Sequence, residues 1–223
     1  MRGSRVRVDA YARVLANLRL PELGSRPATA AALGDPSSWE LASGSARGIE
    51  TSWSWMSDGG FSLLGSYRWA RVSRTVDSRS YKPRFHRDHE FEMGGAYRRG
   101  ASSWSARVSL RSGQPTTPVL GVVPIEVHGS GFTELVPLGG EYNSGTLPHY
   151  ARIDAGWRRE SRVSWFGGGS VVPYVSVANL FSLPNVVGAY VERNYRKELG
   201  EEFRTLYLPQ LPMIPFFGVE FRF

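Results

Sequence analysis

The segment Phe61-Ser62-Leu63-Leu64-Gly65-Ser66-Tyr67-Arg68-Trp69 decides the fold class, because its apolar and polar residues alternate. Odd-numbered positions carry Phe, Leu, Gly, Tyr and Trp, whereas even-numbered positions carry Ser and Arg, with Leu64 as the exception. Side chains two residues apart project from the same side of a β-strand. The segment therefore predicts a strand with one apolar face and one polar face.

The same alternation recurs along the chain, so the sequence predicts an all-β, antiparallel protein of about eight strands. The other segments lie at residues 6–12, 49–55, 90–98, 104–111, 152–158, 171–177 and 217–223. Each strand is long enough to cross a bilayer when tilted. Their polar faces carry Arg, Asp and Glu, and their apolar faces are rich in aromatic residues. This pattern is typical of a transmembrane β-barrel wall, which is apolar toward lipid and charged toward a wet interior.

The connections between these strands alternate in length. Short turns are predicted at residues 57–60 and 99–101, with a somewhat longer one at about 160–169. Long, Pro-rich connections are predicted at residues 21–40, 76–87, 114–148 and 181–215. Outer-membrane barrels have short periplasmic turns and long extracellular loops at opposite ends. The alternation therefore favours a segment of such a barrel over a soluble sandwich.

Composition excludes several other classes of protein. The chain has 223 residues and no cysteine, so disulfides, thiolate metal sites and cysteine nucleophiles are excluded. It carries 27 Lys and Arg against 20 Asp and Glu, but the basic residues are scattered and interleaved with acids. Nucleic-acid binding needs positive charge gathered on one face, and we do not expect it here. The 25 glycines and 13% aromatic residues favour β structure.

Five stretches together resemble the TonB-dependent receptors of the bacterial outer membrane. Residues 211–223 resemble the last strand of these receptors, and residues 173–181 resemble the preceding strand with its Asn-Leu ending. Residues 42–50 are similar to a small-Arg-Gly-x-Glu strand start. Residues 83–89 and 142–154 are similar to two strand-entry motifs of the family, with His86 and Thr146 departing from the usual residues.

The resemblance implies that residues 1–223 are the C-terminal part of a larger barrel of roughly 22 strands. The family's signal peptide, TonB-contacting segment and plug would then be missing from this chain. Its implied location is the outer membrane, where such receptors import nutrients of the siderophore, cobalamin, glycan or peptide class. The implied partners are the lipid bilayer and the barrel-assembly machinery, with the inner-membrane TonB complex engaged only through the missing plug. We expect a monomer when the barrel is complete.

Three groups of residues are candidates for functional roles. The C-terminal assembly signal implied by the resemblance consists of Phe217, Val219, Phe221 and Phe223. A charged wall facing the lumen is predicted from the polar parity at Arg7, Asp9, Glu50, Arg68, Glu90, Glu92, Arg107, Arg111, Arg152, Asp154, Glu220 and Arg222. Aromatic residues expected at the lipid or its interfaces are Trp53, Trp55, Tyr67, Trp69, Tyr97, Trp104 and Trp157.

Catalytic chemistry is not expected, because no nucleophile elbow or other catalytic motif is present. His86 and His89 are three residues apart, but a third ligand at useful spacing is lacking, so we expect no metal and no cofactor. Two alternatives to a receptor segment stay open. One is a complete small barrel of eight strands with a structural or adhesive role, and the other is a soluble all-β binding module.

Overall fold

The computed structural model describes residues 3–20, 39–126, 133–164, 168–193 and 203–222. Within these ranges the chain is an all-β, antiparallel protein made of strands, turns and loops. No helix in the described ranges is long and apolar enough to cross a membrane.

Sixteen strands occur in the described residues, and eight of them are long and form one meander. The strands are β1 (Ser4–Leu20), β2 (Glu40–Met56), β3 (Phe61–Val76), β4 (Arg79–Tyr81), β5 (His89–Arg99), β6 (Ser102–Arg111), β7 (Pro115–Thr116), β8 (Val119–Glu126), β9 (Thr133–Gly139), β10 (Gly145–Thr146), β11 (Tyr150–Arg159), β12 (Ser161–Val163), β13 (Gly169–Ala178), β14 (Val186–Arg193), β15 (Phe203–Pro209) and β16 (Ile214–Arg222). The meander runs β1-β2-β3-β5-β6-β11-β13-β16, and each pair of neighbours is antiparallel. All eight predicted strands fall within it.

The predicted alternation of short and long connections is confirmed from β2 onward, whereas most of the first predicted long connection, at residues 21–40, lies outside the described residues. β2 and β5 end in tight turns, where Gly60 (φ +83°) and Gly100 (φ +58°) adopt the left-handed conformation that glycine tolerates. The connection after β11 carries the short strand β12, which continues the pairing along β13. Since successive strands are antiparallel, the ends of β1, β3, β6 and β13, from which the long connections leave, all lie at one end of the sheet.

The long connections contain strands that alternation did not predict. Hairpins form between β8 and β9 and between β14 and β15, and β7 pairs with β10. β4 extends the end of β3. These connections are therefore partly ordered β structure rather than loops alone.

The strand register gives the meander two chemically different faces. Residues paired directly across antiparallel strands lie on the same side of the sheet. Phe61, Tyr97, Trp104 and Trp157 follow one another in this way across β3, β5, β6 and β11, on what we call the apolar face. Residues of the other parity form the charged face. The carboxylates on the charged face include Asp9, Glu50, Glu90, Glu92, Asp154 and Glu220.

The apolar face has no charged residue between its two ends in the described part of the meander. Beyond the aromatic row at the short-turn end lie Arg99 and Arg159, both paired with Ser102. Beyond the Ile49–Trp69 level, at the long-connection end, lie Arg47 and Arg71. The charged residues of the apolar face in the described meander are therefore all arginines, and they lie only at its two margins.

Little apolar surface is buried inside the chain. The solvent-accessible surface is 16044 Å², whereas a soluble monomer of 24.8 kDa exposes about 10,200 Å². The described core is a small cluster of Leu20, Ala42, Val76 and Tyr81 near the long-connection end. The two faces of the meander are therefore left largely uncovered by the rest of the described chain.

Within the described ranges, the sheet does not close on itself. In the described residues, β1 pairs only with β2, and β16 pairs only with β13. Both outer strands consequently present unpaired backbone N–H and C=O groups along their free edges.

Candidate functional site

All twelve residues of the predicted charged wall lie on the charged face. A cavity of about 600 Å³ brings half of them together on β1, β2, β3 and β5, namely Arg7, Asp9, Glu50, Arg68, Glu90 and Glu92. A second cavity of about 300 Å³ includes Arg107, Arg152 and Asp154 in its lining. Glu220 and Arg222 are apart from both groups, on the free-edge strand β16.

The strongest cross-strand contacts on the charged face involve β5. Arg68 Nη2 lies 2.9 Å from Glu90 Oε1. Glu92 accepts hydrogen bonds from Arg107 Nη2 at 2.7 Å and from Arg111 Nη2 at 2.5 Å. Each carboxylate of β5 is therefore matched by arginine from a neighbouring strand, which keeps the wall polar without leaving these charges unpaired.

Three further ion pairs join residues two apart in one strand. Arg152 Nε lies 2.6 Å from Asp154 Oδ1, which also accepts a hydrogen bond from the backbone N–H of Asn179. The other two pairs are Arg7–Asp9 at 2.7 Å and Arg222–Glu220 at 2.8 Å. Their side chains are 29–72% exposed, and pairs exposed to this degree contribute about 1 kcal/mol or less. The network therefore sets the chemistry of the surface more than it stabilises the fold.

All seven predicted interface aromatics lie on the apolar face. At the short-turn end, the Phe61 and Tyr97 ring centroids are 4.4 Å apart, and those of Tyr97 and Trp104 are 5.7 Å apart. Trp157 pairs directly with Trp104 in the next strand. Toward the other end, the Tyr67 hydroxyl is 2.8 Å from His89 Nδ1. The remaining aromatics of this set are Trp53, Trp55 and Trp69.

The aromatic residues of β3 are far apart along the apolar face. Phe61 and Trp69 are eight residues apart in β3, which corresponds to about 26 Å along the strand. Aromatic residues therefore lie near both ends of the apolar face.

The predicted assembly residues form the exposed side of the last strand. Phe217, Val219 and Phe221 lie on the apolar face of β16 and are 81%, 53% and 60% exposed. They pair with residues of β13 on one side only. Phe223 lies outside the described residues.

Three buried asparagines hold the long connections in place by hydrogen bonds to backbone groups. Asn185, 3% exposed, donates to the carbonyl of Ala151 and accepts from the Ala151 N–H, both at 2.8 Å. Asn179 donates to the Leu183 carbonyl and accepts from the Leu183 N–H. Asn143 donates to the Lys82 carbonyl at 2.8 Å. Asn179 and Asn143 both had a sequence signal, as part of the Asn-Leu ending and of the motif at residues 142–154, whereas Asn185 had none.

The two closely spaced histidines have different partners and do not converge. His86 is buried, with Nε2 2.9 Å from Asp88 Oδ1, whereas His89 contacts Tyr67. Burial alone would raise the pKa of the Asp88 carboxyl, but hydrogen bonds from Lys82 and His86 outweigh burial and hold that pKa below its ordinary value. Among the described residues, no three His, Asp or Glu side chains are arranged to hold a metal ion.

Comparison with protein-family models, curated proteins and solved structures finds no match to this chain. The family resemblance therefore rests on the sequence motifs alone.

Proposed function

We propose that this chain is part of the wall of an outer-membrane β-barrel of the TonB-dependent receptor type, which binds and imports a nutrient. The observation that carries the proposal is the segregation of charge between two uncovered faces of one meander. Six of the carboxylates in the described strands lie on the charged face, five of them paired with arginine, whereas the apolar face has arginine only at its margins. A soluble protein has no reason to keep acids off an exposed face, but lipid provides one.

The free edges support a wall segment rather than a finished barrel. Unpaired backbone groups of β1 and β16 would be unsatisfied in hydrocarbon, where no water is available to bond them. Further strands pairing with both edges would remove this cost. This agrees with the larger barrel that the sequence resemblance implies.

In this proposal the charged face lines the interior of the barrel. Its two cavities offer carboxylate and guanidinium groups to a solute or to a plug. The hairpins of the long connections would form the extracellular surface that first meets the nutrient, and the tight turns would lie in the periplasm. Energy for import would come from the inner-membrane TonB complex through a plug.

A complete eight-stranded barrel is the second candidate, because the meander contains the strand number of the smallest outer-membrane barrels. The two candidates differ in whether β1 pairs with β16. Because the chain lacks cysteine, Val8→Cys and Val219→Cys can be introduced together as the only thiols. An intramolecular disulfide in membranes would support the small barrel, and its absence under oxidising conditions would support the wall segment.

The import proposal is tested by uptake in a host with and without the polypeptide that carries this chain. Ferric chelates, cobalamin, oligosaccharides and peptides are offered separately, and each uptake is repeated after the inner-membrane energy supply is removed. We expect energy-dependent uptake of one class. Heat-modifiable mobility in detergent gels tests the barrel itself, and a polypeptide that stays in solution without detergent would contradict it.

A further inference from the structure

Arg47 and Arg71 form a basic pair at the long-connection end of the apolar face. They are direct register partners in β2 and β3, two residues beyond the Ile49–Trp69 pair. On the β1 side, the residue level with Arg47 is Ala12. β5 begins at His89, level with Trp69, so it brings no side chain beside Arg71.

Arg47 and Arg71 are directly opposite each other in the register, and no carboxylate is level with them in β1 or β5. Like charges directly opposite in a sheet repel and destabilise the pair of strands. None of the ion pairs among the described residues involves Arg47 or Arg71, and Arg71 only stacks over the Trp69 ring, 5.9 Å from its centroid. An anion placed between the two arginines would turn this repulsion into attraction.

A cavity of about 710 Å³ lies at this pair and has the chemistry to hold a phosphate group. Besides both arginines, its lining includes Ser45 and Ser73, whose hydroxyl oxygens are 3.0 Å apart, and Lys82 from the connection after β4. The carboxylate of Asp88 also lines it, but that group is already engaged by Lys82 and His86. Two arginine forks beside hydroxyl donors suit the oxygens of a phosphate ester.

We propose that Arg47 and Arg71 bind the phosphate of a lipid head group in the leaflet at the long-connection end of the barrel. The inference rests on the membrane proposal for the source of the phosphate. The position supports a lipid over a free anion, because the pair is continuous with the apolar surface of Ile49 and Trp69, along which acyl chains would lie. Arginine near a membrane surface attracts anionic lipid, and aromatic residues mark the interface.

Native mass spectrometry of the protein in zwitterionic detergent tests the site with phosphatidylglycerol and phosphatidylcholine as probes. Wild type is expected to retain phosphatidylglycerol in preference to phosphatidylcholine, and Arg47→Gln/Arg71→Gln is expected to lose roughly tenfold in this preference, as charge-assisted hydrogen bonds are lost. The matched control is Arg99→Gln/Arg159→Gln, which removes the same charge from the same face at its other end. Arg99 and Arg159 flank Ser102 and do not face each other, so the control should keep most of the preference.

Each alternative outcome overturns the inference. An equal loss in both double variants would mean that general attraction explains the binding, and no preference in wild type would mean that there is no site. Inorganic phosphate that binds as tightly as the lipid would reduce the site to a free-anion site. Heat-modifiable mobility of every variant is measured alongside, so a folded barrel without lipid preference refutes this inference alone. If the protein instead stays soluble without detergent, the membrane proposal fails, and the lipid assignment falls with it.

Discussion

Replacing Val108 by arginine should destabilise the folded protein far more than placing the same arginine on the other face of the same strand. Val108 lies on the apolar face of β6, between Met93 and Ile153 in the neighbouring strands. Ser105, three residues earlier, lies on the charged face and is exposed. Both substitutions add one positive charge and one long side chain, so only the face differs.

The magnitude follows from the depth of Val108 in the apolar band. It is four residues from Trp104 in the aromatic row, which corresponds to about 13 Å along the strand. At a tilt of about 40° this is about 10 Å of depth, near the middle of a 25 Å band. Arginine at the midplane of a barrel's lipid face costs about 2–4 kcal/mol, so this is the expected loss for Val108→Arg. Ser105→Arg should stay within about 0.5 kcal/mol of wild type, as is usual at exposed polar positions.

The assay is urea unfolding in phospholipid vesicles, followed by tryptophan fluorescence. Val108→Leu is the second control, because it changes the shape of the side chain without adding charge. If Val108→Arg and Ser105→Arg change the free energy of unfolding by the same amount within about 0.5 kcal/mol, the apolar face does not contact lipid. That result would refute the reasoning even if both variants were active.

Three further substitutions test the local structure. Asn185→Ala removes both hydrogen bonds to the β11 backbone and should cost about 1–3 kcal/mol, measured by urea unfolding, because it leaves buried backbone groups unsatisfied. Gly65→Ala should cost about 1–3 kcal/mol in the same assay, since the Trp53 ring occupies the space that a Cβ would need. Asp88→Asn should abolish the stability that the contacts of the Asp88 carboxylate with Lys82 and His86 contribute at neutral pH. Because the pKa of Asp88 is lowered in the folded state, wild type should lose that contribution only as pH falls below the ordinary value of 3.8.

Each of these three predictions has a control variant or a result that would contradict it. Gly95→Ala adds the same methyl group on the same face, where the nearest atom outside the chain neighbours is 3.6 Å away in Leu63, so it should be tolerated. Equal costs for Gly65→Ala and Gly95→Ala would contradict the close packing of Trp53. A stability loss between pH 5 and 7 that Asp88→Asn removes would contradict a lowered pKa of Asp88. Faster hydrogen exchange at Ala151 is expected in Asn185→Ala, and unchanged exchange would contradict the role of Asn185.

The meander was predictable because alternation within a strand is a local property. Segments such as Phe61–Trp69 show their two faces without reference to any neighbour. The hairpins of the long connections were not predictable in this way, since Val119–Glu126 contains Pro124 and has no alternation of apolar and polar residues. Alternation also says nothing about which strands pair, or whether β1 meets β16, because pairing depends on turn geometry and distant contacts.

The candidate site was predictable only as a set of residues that share a face. Parity placed Glu92, Arg107 and Arg111 together, but their mutual contacts depend on the register between β5 and β6. Arg47 and Arg71 were missed because they interrupt the apolar pattern just where it ends. Extending the alternation by two residues beyond the apolar segment would have found both, since Arg47 lies two residues before Ile49 and Arg71 lies two residues after Trp69. The buried Asn185 carried no sequence signal, because its partner is a backbone group on β11 far along the chain.

The central claim is that one face of the meander meets lipid and the other meets water, and single cysteines along residues 49–53 test it most directly. The chain lacks native cysteine, so each variant carries one thiol. In the membrane-embedded protein, we predict that cysteines at Glu50 and Ser52 react with a water-soluble maleimide. Cysteines at Ile49, Thr51 and Trp53 should resist this reagent and react with a bilayer-embedded one. Equal reactivity of both sets toward the water-soluble reagent would contradict the account.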